Sequence, residues 1–77
     1  MLKKMIGLRI KELRISNTNL NQEDFARRIG FDGAYISRVE SGKQNLTIEN
    51  LQIICKGLKV SLSVFFKPFN KNYEVKE

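Results

Sequence analysis

Residues 21–44 read N-Q-E-D-F-A-R-R-I-G-F-D-G-A-Y-I-S-R-V-E-S-G-K-Q. The spacing predicts two short helices joined by a tight turn. Asn21 is a good first cap, because its side-chain oxygen can accept from a free backbone N–H of the opening turn. Glu23 and Asp24 follow, where acidic charge suits the helix dipole. Phe25, Ala26 and Ile29 recur at helical spacing and define one buried face. Gly30 ends the helix, since glycine takes left-handed backbone geometry without steric cost. Phe31 plugs the turn, and Asp32 can cap the next helix. There Ile36 and Val39 face inward, while Ala34, Tyr35, Ser37 and Arg38 face out. Gly42 closes this second helix. Two helices of about eight residues are too short to stand alone, so they need further helices behind them.

The flanking sequence supplies those helices. A first helix is expected over residues 2–15, with Leu2, Ile6, Ile10 and Leu13 as its inward stripe and Lys3, Lys4, Lys11 and Glu12 toward water. Gly7 lowers helix propensity by about 0.8–1 kcal/mol relative to alanine, so it marks close packing or nothing at all. Residues 16–19, S-N-T-N, read as a polar loop. Leu20 then stands where it can staple onto Phe25. Beyond Gly42, Lys43-Gln44-Asn45 is a polar turn. Thr47 caps a fourth helix with Leu51, Ile54, Cys55 and Leu58 as its apolar stripe, and Lys56 and Lys59 suit the dipole at its end. Ser61 caps a short fifth helix from Leu62 to about residue 67, and Pro68 ends it. The expected architecture is all-α, a compact five-helix domain over residues 1–69 with a central helix-turn-helix. Residues 70–77 are expected to fray or to form a partial last helix.

Composition bounds what the chain can do. Seventy-seven residues make one domain, and a chain this short buries only about 60–65% of its unfolded surface, so dimerisation would add useful burial. The net charge is +6. Residues 1–45 carry nine of the fourteen basic residues against five acids. A basic small domain collects polyanions, of which nucleic acid is the commonest, although charge alone is equally consistent with solubility. Cys55 is the only cysteine and sits in an apolar stripe, so a buried, inert thiol is expected in a reducing cytoplasm. There is no histidine, and a structural zinc site would need ligands this chain lacks. No cofactor is expected. No apolar run reaches about 18 residues, so no membrane span is expected, and the opening Met1-Leu2-Lys3-Lys4 lacks the apolar segment of a signal peptide. Catalysis finds no support: there is no glycine-rich phosphate loop, no carboxylate pair in an apolar setting, and no base beside Ser37.

The spacing Gln22-x-x-Phe25-Ala26, Gly30, Ile36-Ser37, Glu40, Gly42 resembles the helix-turn-helix family of phage repressors and their Cro-like relatives. The resemblance runs over roughly residues 6–66. The segment Asn45-Leu46-Thr47-Ile48-Glu49-Asn50-Leu51, with Lys56-Gly57-Leu58-Lys59-Val60-Ser61 and Val64-Phe65-Phe66, is most similar to the controller proteins of restriction–modification systems. These are small dimeric members of that family.

The resemblance implies a lambda-repressor-like fold and a site. In a helix-turn-helix the N-terminal half of the second helix meets base edges in the major groove. That places Gly33, Ala34, Tyr35, Ser37 and Arg38 at double-stranded DNA. Arg38 can grip O6 and N7 of guanine, discriminating by about 1–3 kcal/mol, or bind a phosphate. Ala34 can touch a thymine methyl. Tyr35 can donate to a phosphate, or else cover the helix pair as a half-buried ring. Gln22, Lys43, Gln44 and Asn45 fall where the family meets the DNA backbone. Controllers often carry arginine where Gly33 and Gln44 stand here, which shifts base reading to other residues or to DNA shape. An arginine and a glutamate at the matching positions, Arg14 and Glu40, form a partly buried ion pair in the family; the bland alternative is two exposed charges. Leu62, Val64, Phe65 and Phe66 are implied as the homodimer interface, with Val60, Leu62 and Phe65 expected to face the core and Phe66 or Val64 left outward; the alternative is a larger core beneath the tail. A two-fold dimer demands a palindromic operator. RNA polymerase is a further partner under this resemblance, with Glu23 or Asp24 as contacts by analogy. The rival reading is an antitoxin, whose main task is masking a toxin.

Overall fold

The computed structural model describes residues 1–69. Its elements run α1 (Leu2–Leu13), α2 (Gln22–Ile29), α3 (Gly33–Glu40), α4 (Ile48–Leu58) and α5 (Leu62–Phe66), with a wide π-type turn over Arg14–Thr18. No strand occurs among the described residues, and no helix there is long and apolar enough to cross a membrane. The expected tail, residues 70–77, lies outside the described residues.

Each later helix opens on a side-chain cap. Asn21 accepts from the Asp24 N–H at 2.8 Å, Asp32 from Ala34 at 3.3 Å, Thr47 from Asn50 at 3.1 Å and Ser61 from Val64 at 3.1 Å. Such caps contribute about 1 kcal/mol apiece. Gly30 adopts φ 81° and turns the chain from α2 into α3. At the end of α4 the same left-handed position falls on Lys59, with φ 65°, rather than on a glycine. Gly57 lies in the last turn of that helix, where a Cβ would run into the Ile29 and Phe25 side chains. Gly7 has a similar task. A Cβ there would collide with the Val39 and Glu40 carbonyl oxygens, so α1 lies directly on the end of α3.

Ile10, Leu13, Phe25, Ala26, Ile36, Val39, Leu51, Ile54, Cys55, Leu58 and Phe65 form one core. Full burial of a side chain of this kind contributes about 1.5–3 kcal/mol. Three expectations need correction. Leu2 is 37% exposed, because the first turn of α1 projects past the core. The first helix was expected to reach residue 15, yet regular α bonding stops at Leu13. There the Arg14 carbonyl accepts from both Thr18 Oγ1 and the Asn19 N–H, widening the turn. This is the competition short polar side chains offer to helical bonding. Phe65, expected to face the core yet also implied among the interface residues, is fully buried within the single chain, so the core placement is the one that holds.

Arg9 ties the two ends of the chain together. Its Nε donates to the Phe65 carbonyl at 2.8 Å and its Nη2 to the Val64 carbonyl at 2.9 Å. The fork thus adds donors to the C-terminal carbonyls of a helix five residues long, where Val64 also accepts from the Lys67 N–H at 3.2 Å.

Candidate nucleic-acid interface

Helix α3 is buried on one side and open on the other. Ile36 and Val39 are inside, while Ala34, Ser37 and Arg38 are exposed. Gly33 is partly covered, and its Cα faces the Glu23 backbone and side chain at the mouth of α2. The openings of α2 and α3 therefore lie side by side, and Gln22, Glu23, Asp32, Gly33, Ala34 and Ser37 line one shallow depression.

A buried polar network fixes this arrangement. Arg14 Nε donates to Glu40 Oε2 at 2.7 Å and Arg14 Nη2 to Glu40 Oε1 at 3.0 Å. Both residues are nearly inaccessible, at 7% and 5%. Arg14 Nη1 also donates to the Leu20 carbonyl at 2.7 Å. Gln22 Nε2 joins by donating to Glu40 Oε1 at 2.9 Å. One N–H of the Gln22 amide is therefore turned inward, toward the ion pair. A bidentate guanidinium–carboxylate contact is directional as well as strong, so it sets the angle of α3 against α1.

Tyr35 is the half-buried ring, not a free side chain. It packs on Phe31 with centroids 5.0 Å apart, and its hydroxyl oxygen accepts from Asn50 Nδ2 at 3.1 Å. Its hydroxyl hydrogen remains able to donate. Nothing local in the sequence marks Asn50 as the partner of Tyr35. Arg38 extends from α3, and its Nε donates to Gln44 Oε1 at 2.9 Å. Lys43 and Asn45 are exposed beside it, and Lys3 at the start of α1 donates to Asn45 Oδ1 at 3.2 Å. Lys3 was read only as solvent-facing, so its link to this loop was missed. Arg27 is engaged with Asp24 at 3.0 Å, away from this face.

Among the apolar side chains of α4 and α5, Val64 is 45% exposed and Ile53 43%, Leu62 and Phe66 are partly covered, and Ile53 and Leu62 line one depression. Cys55 lies beneath, and burial pushes its thiol pKa above the ordinary 9.0, against a smaller opposing effect of the Arg9 charge.

Two capped helices with a glycine turn between them, locked at the back and open in front, define a helix-turn-helix protein. The chain belongs to the helix-turn-helix family, whose sequence model matches residues 10–65. It is 42% identical over 65 residues to the control protein C.MunI of Mycoplasma sp., covering 84% of this chain and 88% of that one. It is also similar in structure to the restriction–modification controller protein C.Esp1396I, solved as a tetramer in complex with its natural 35 base-pair operator. That match has a TM-score of 0.82 and 39% identity, and covers 92% of each chain. Antitoxin PezA of Streptococcus pneumoniae serotype 4 is 40% identical over 57 residues, which are 74% of this chain but 35% of the antitoxin.

Proposed function

We propose that this chain is a cytoplasmic transcription regulator, the controller protein of a restriction–modification system, which binds a palindromic operator as a homodimer and governs its own and the endonuclease gene. The observation that carries the reading is the open face of α3, with Ala34, Ser37 and Arg38 exposed above a core that immobilises Ile36 and Val39. The major groove admits one α-helix, and Arg38 can pair with guanine there. The backbones on either side would be met by the opening of α2, at Gln22, and by Lys43 and Asn45 after α3. Val64, Leu62 and Phe66 with Ile53 supply an apolar surface for a second copy. A two-fold pair places its recognition helices roughly 34–36 Å apart, one turn of DNA. RNA polymerase would be met by a dimer bound beside the promoter.

The similarity to PezA supports a second reading, an antitoxin that autoregulates. This chain spans only the part of PezA that it resembles, and the neighbouring gene decides between the readings. A methyltransferase or endonuclease gene favours the controller, and a small toxin gene favours the antitoxin. The direct test is footprinting of the purified protein on DNA upstream of its own gene. A protected palindrome, bound with a log–log salt slope of about −0.9 for each neutralised phosphate, is the expected result. Uniform weak protection without sequence preference counts against the proposal.

A further inference from the structure

Gln44 is held at both ends of its amide. Its Oε1 accepts from Arg38 Nε at 2.9 Å, and its Nε2 donates to the Asn45 carbonyl at 3.2 Å. Asn45 in turn accepts from Lys3 Nζ. These bonds run from the opening of α1, through the loop after α3, to the guanidinium on the open face. The loop backbone is seated too. The Lys43 N–H bonds the Arg38 carbonyl at 2.9 Å, and a Cβ on Gly42 would come within 2.9 Å of the Lys4 Cα.

A guanidinium carries five N–H donors in a planar fork. It can grip two acceptors side-on, through Nε and one Nη, or end-on, through both Nη groups. Here Nε is already engaged, so the end-on grip is the one left. An arginine held in advance also loses less rotamer freedom on docking.

We propose that Gln44 is a positioning residue that presents both Nη groups of Arg38 end-on to one guanine edge, and so sets sequence discrimination at one base pair. The inference rests on the reading of α3 as the DNA-facing helix. A neutral amide releases no counterions, and the Gln44 amide is engaged by Arg38 and the Asn45 carbonyl, so its effect falls on discrimination far more than on sequence-independent affinity.

The test begins with duplexes enriched by the wild-type protein from a random-sequence pool. Binding is then measured by fluorescence anisotropy for each single base-pair change, with wild type, Arg38→Ala, Gln44→Met, Gln44→Glu and the double variant Arg38→Ala/Gln44→Met. Gln44→Met keeps the length and removes the acceptor. It is expected to lose on the order of tenfold discrimination at the base pair that Arg38→Ala also releases, and nowhere else. The double variant should be no worse than Arg38→Ala alone. Gln44→Glu keeps an acceptor for Nε, so it should retain the discrimination while binding every duplex more weakly through its added negative charge. Equal weakening of Gln44→Met on all duplexes, or additive losses in the double variant, overturns the positioning role and leaves the DNA-binding reading intact. Failure of the wild type to enrich any sequence overturns both.

Discussion

Glu40→Gln should be among the most damaging single changes to stability in this domain. It keeps the shape of the side chain and removes its charge, leaving the Arg14 guanidinium buried opposite a neutral amide. Arg14 and Glu40 are joined by two hydrogen bonds at 2.7 and 3.0 Å, with side chains 8% and 2% exposed. Water cannot easily replace the lost charge. Stranding one partner of a buried pair costs about 3–5 kcal/mol. A chain of 77 residues has roughly 4–12 kcal/mol of total stability, so the variant should lose about a quarter of it or more. Urea denaturation followed by circular dichroism measures this loss, and the thermal midpoint should fall by roughly 12 °C or more. Replacing both charges, Arg14→Met with Glu40→Leu, removes the stranded ion. It should recover to within about 1–2 kcal/mol of wild type, the remainder reflecting the lost donor to the Leu20 carbonyl. A Glu40→Gln loss below about 1 kcal/mol, the scale of an exposed pair, would refute the reasoning.

Other consequences can be measured on the same protein. Gly7→Ala should destabilise by about 1–3 kcal/mol despite alanine's better helix propensity, because its methyl meets the Val39 and Glu40 carbonyl oxygens; an unchanged or raised urea midpoint would contradict this. Tyr35→Phe removes the acceptor of Asn50 Nδ2 and should cost about 0.5–1.5 kcal/mol in urea unfolding. Arg38→Ala should leave stability within about 0.5 kcal/mol of wild type, as expected for an exposed site, while releasing discrimination at one base pair in binding titrations. Cys55, with its pKa raised by burial, should resist a thiol-reactive dye at pH 8 until the protein unfolds. Its linkage has a definite sign. Below the ordinary value of 9.0 the thiol is neutral in both states and stability is unaffected. Above it the unfolded thiol ionises first, so stability should fall as pH rises, and a Cys55→Ala variant should lack that component.

Much of the fold could be read from local chemistry. Asn21, Asp32, Thr47 and Ser61 announce helix starts because a cap acts within three residues of itself. The stripe Leu51, Ile54, Cys55, Leu58 is visible because periodicity is local too. What escaped was set by distance. Arg9 looks like any surface arginine until α5 brings the Val64 and Phe65 carbonyls within its reach. Leu2 fits the stripe of α1, yet whether the core extends that far depends on what packs beneath it. Val64 and Phe66 flank Phe65 with similar apolar character, and only the angle of a five-residue helix leaves Val64 the more exposed of the two. The site follows the same division. Ala34, Ser37 and Arg38 follow from helical phase, whereas Asn50 and Lys3 act on it across gaps of 15 and 42 residues.

The three attachments of α1 have a mechanical consequence. Its first turn reaches the loop beyond α3 through Lys3, its middle seats on α3 through Gly7, and Arg9 clasps α5 two residues later. One strut of 12 residues, roughly 18 Å at about 1.5 Å each, joins the face proposed to meet DNA to the face proposed to meet a second copy. If the proposed pairing holds, the pitch between two reading heads is gauged by this rod, and a substitution that tilts it would detune half-site spacing without touching a base.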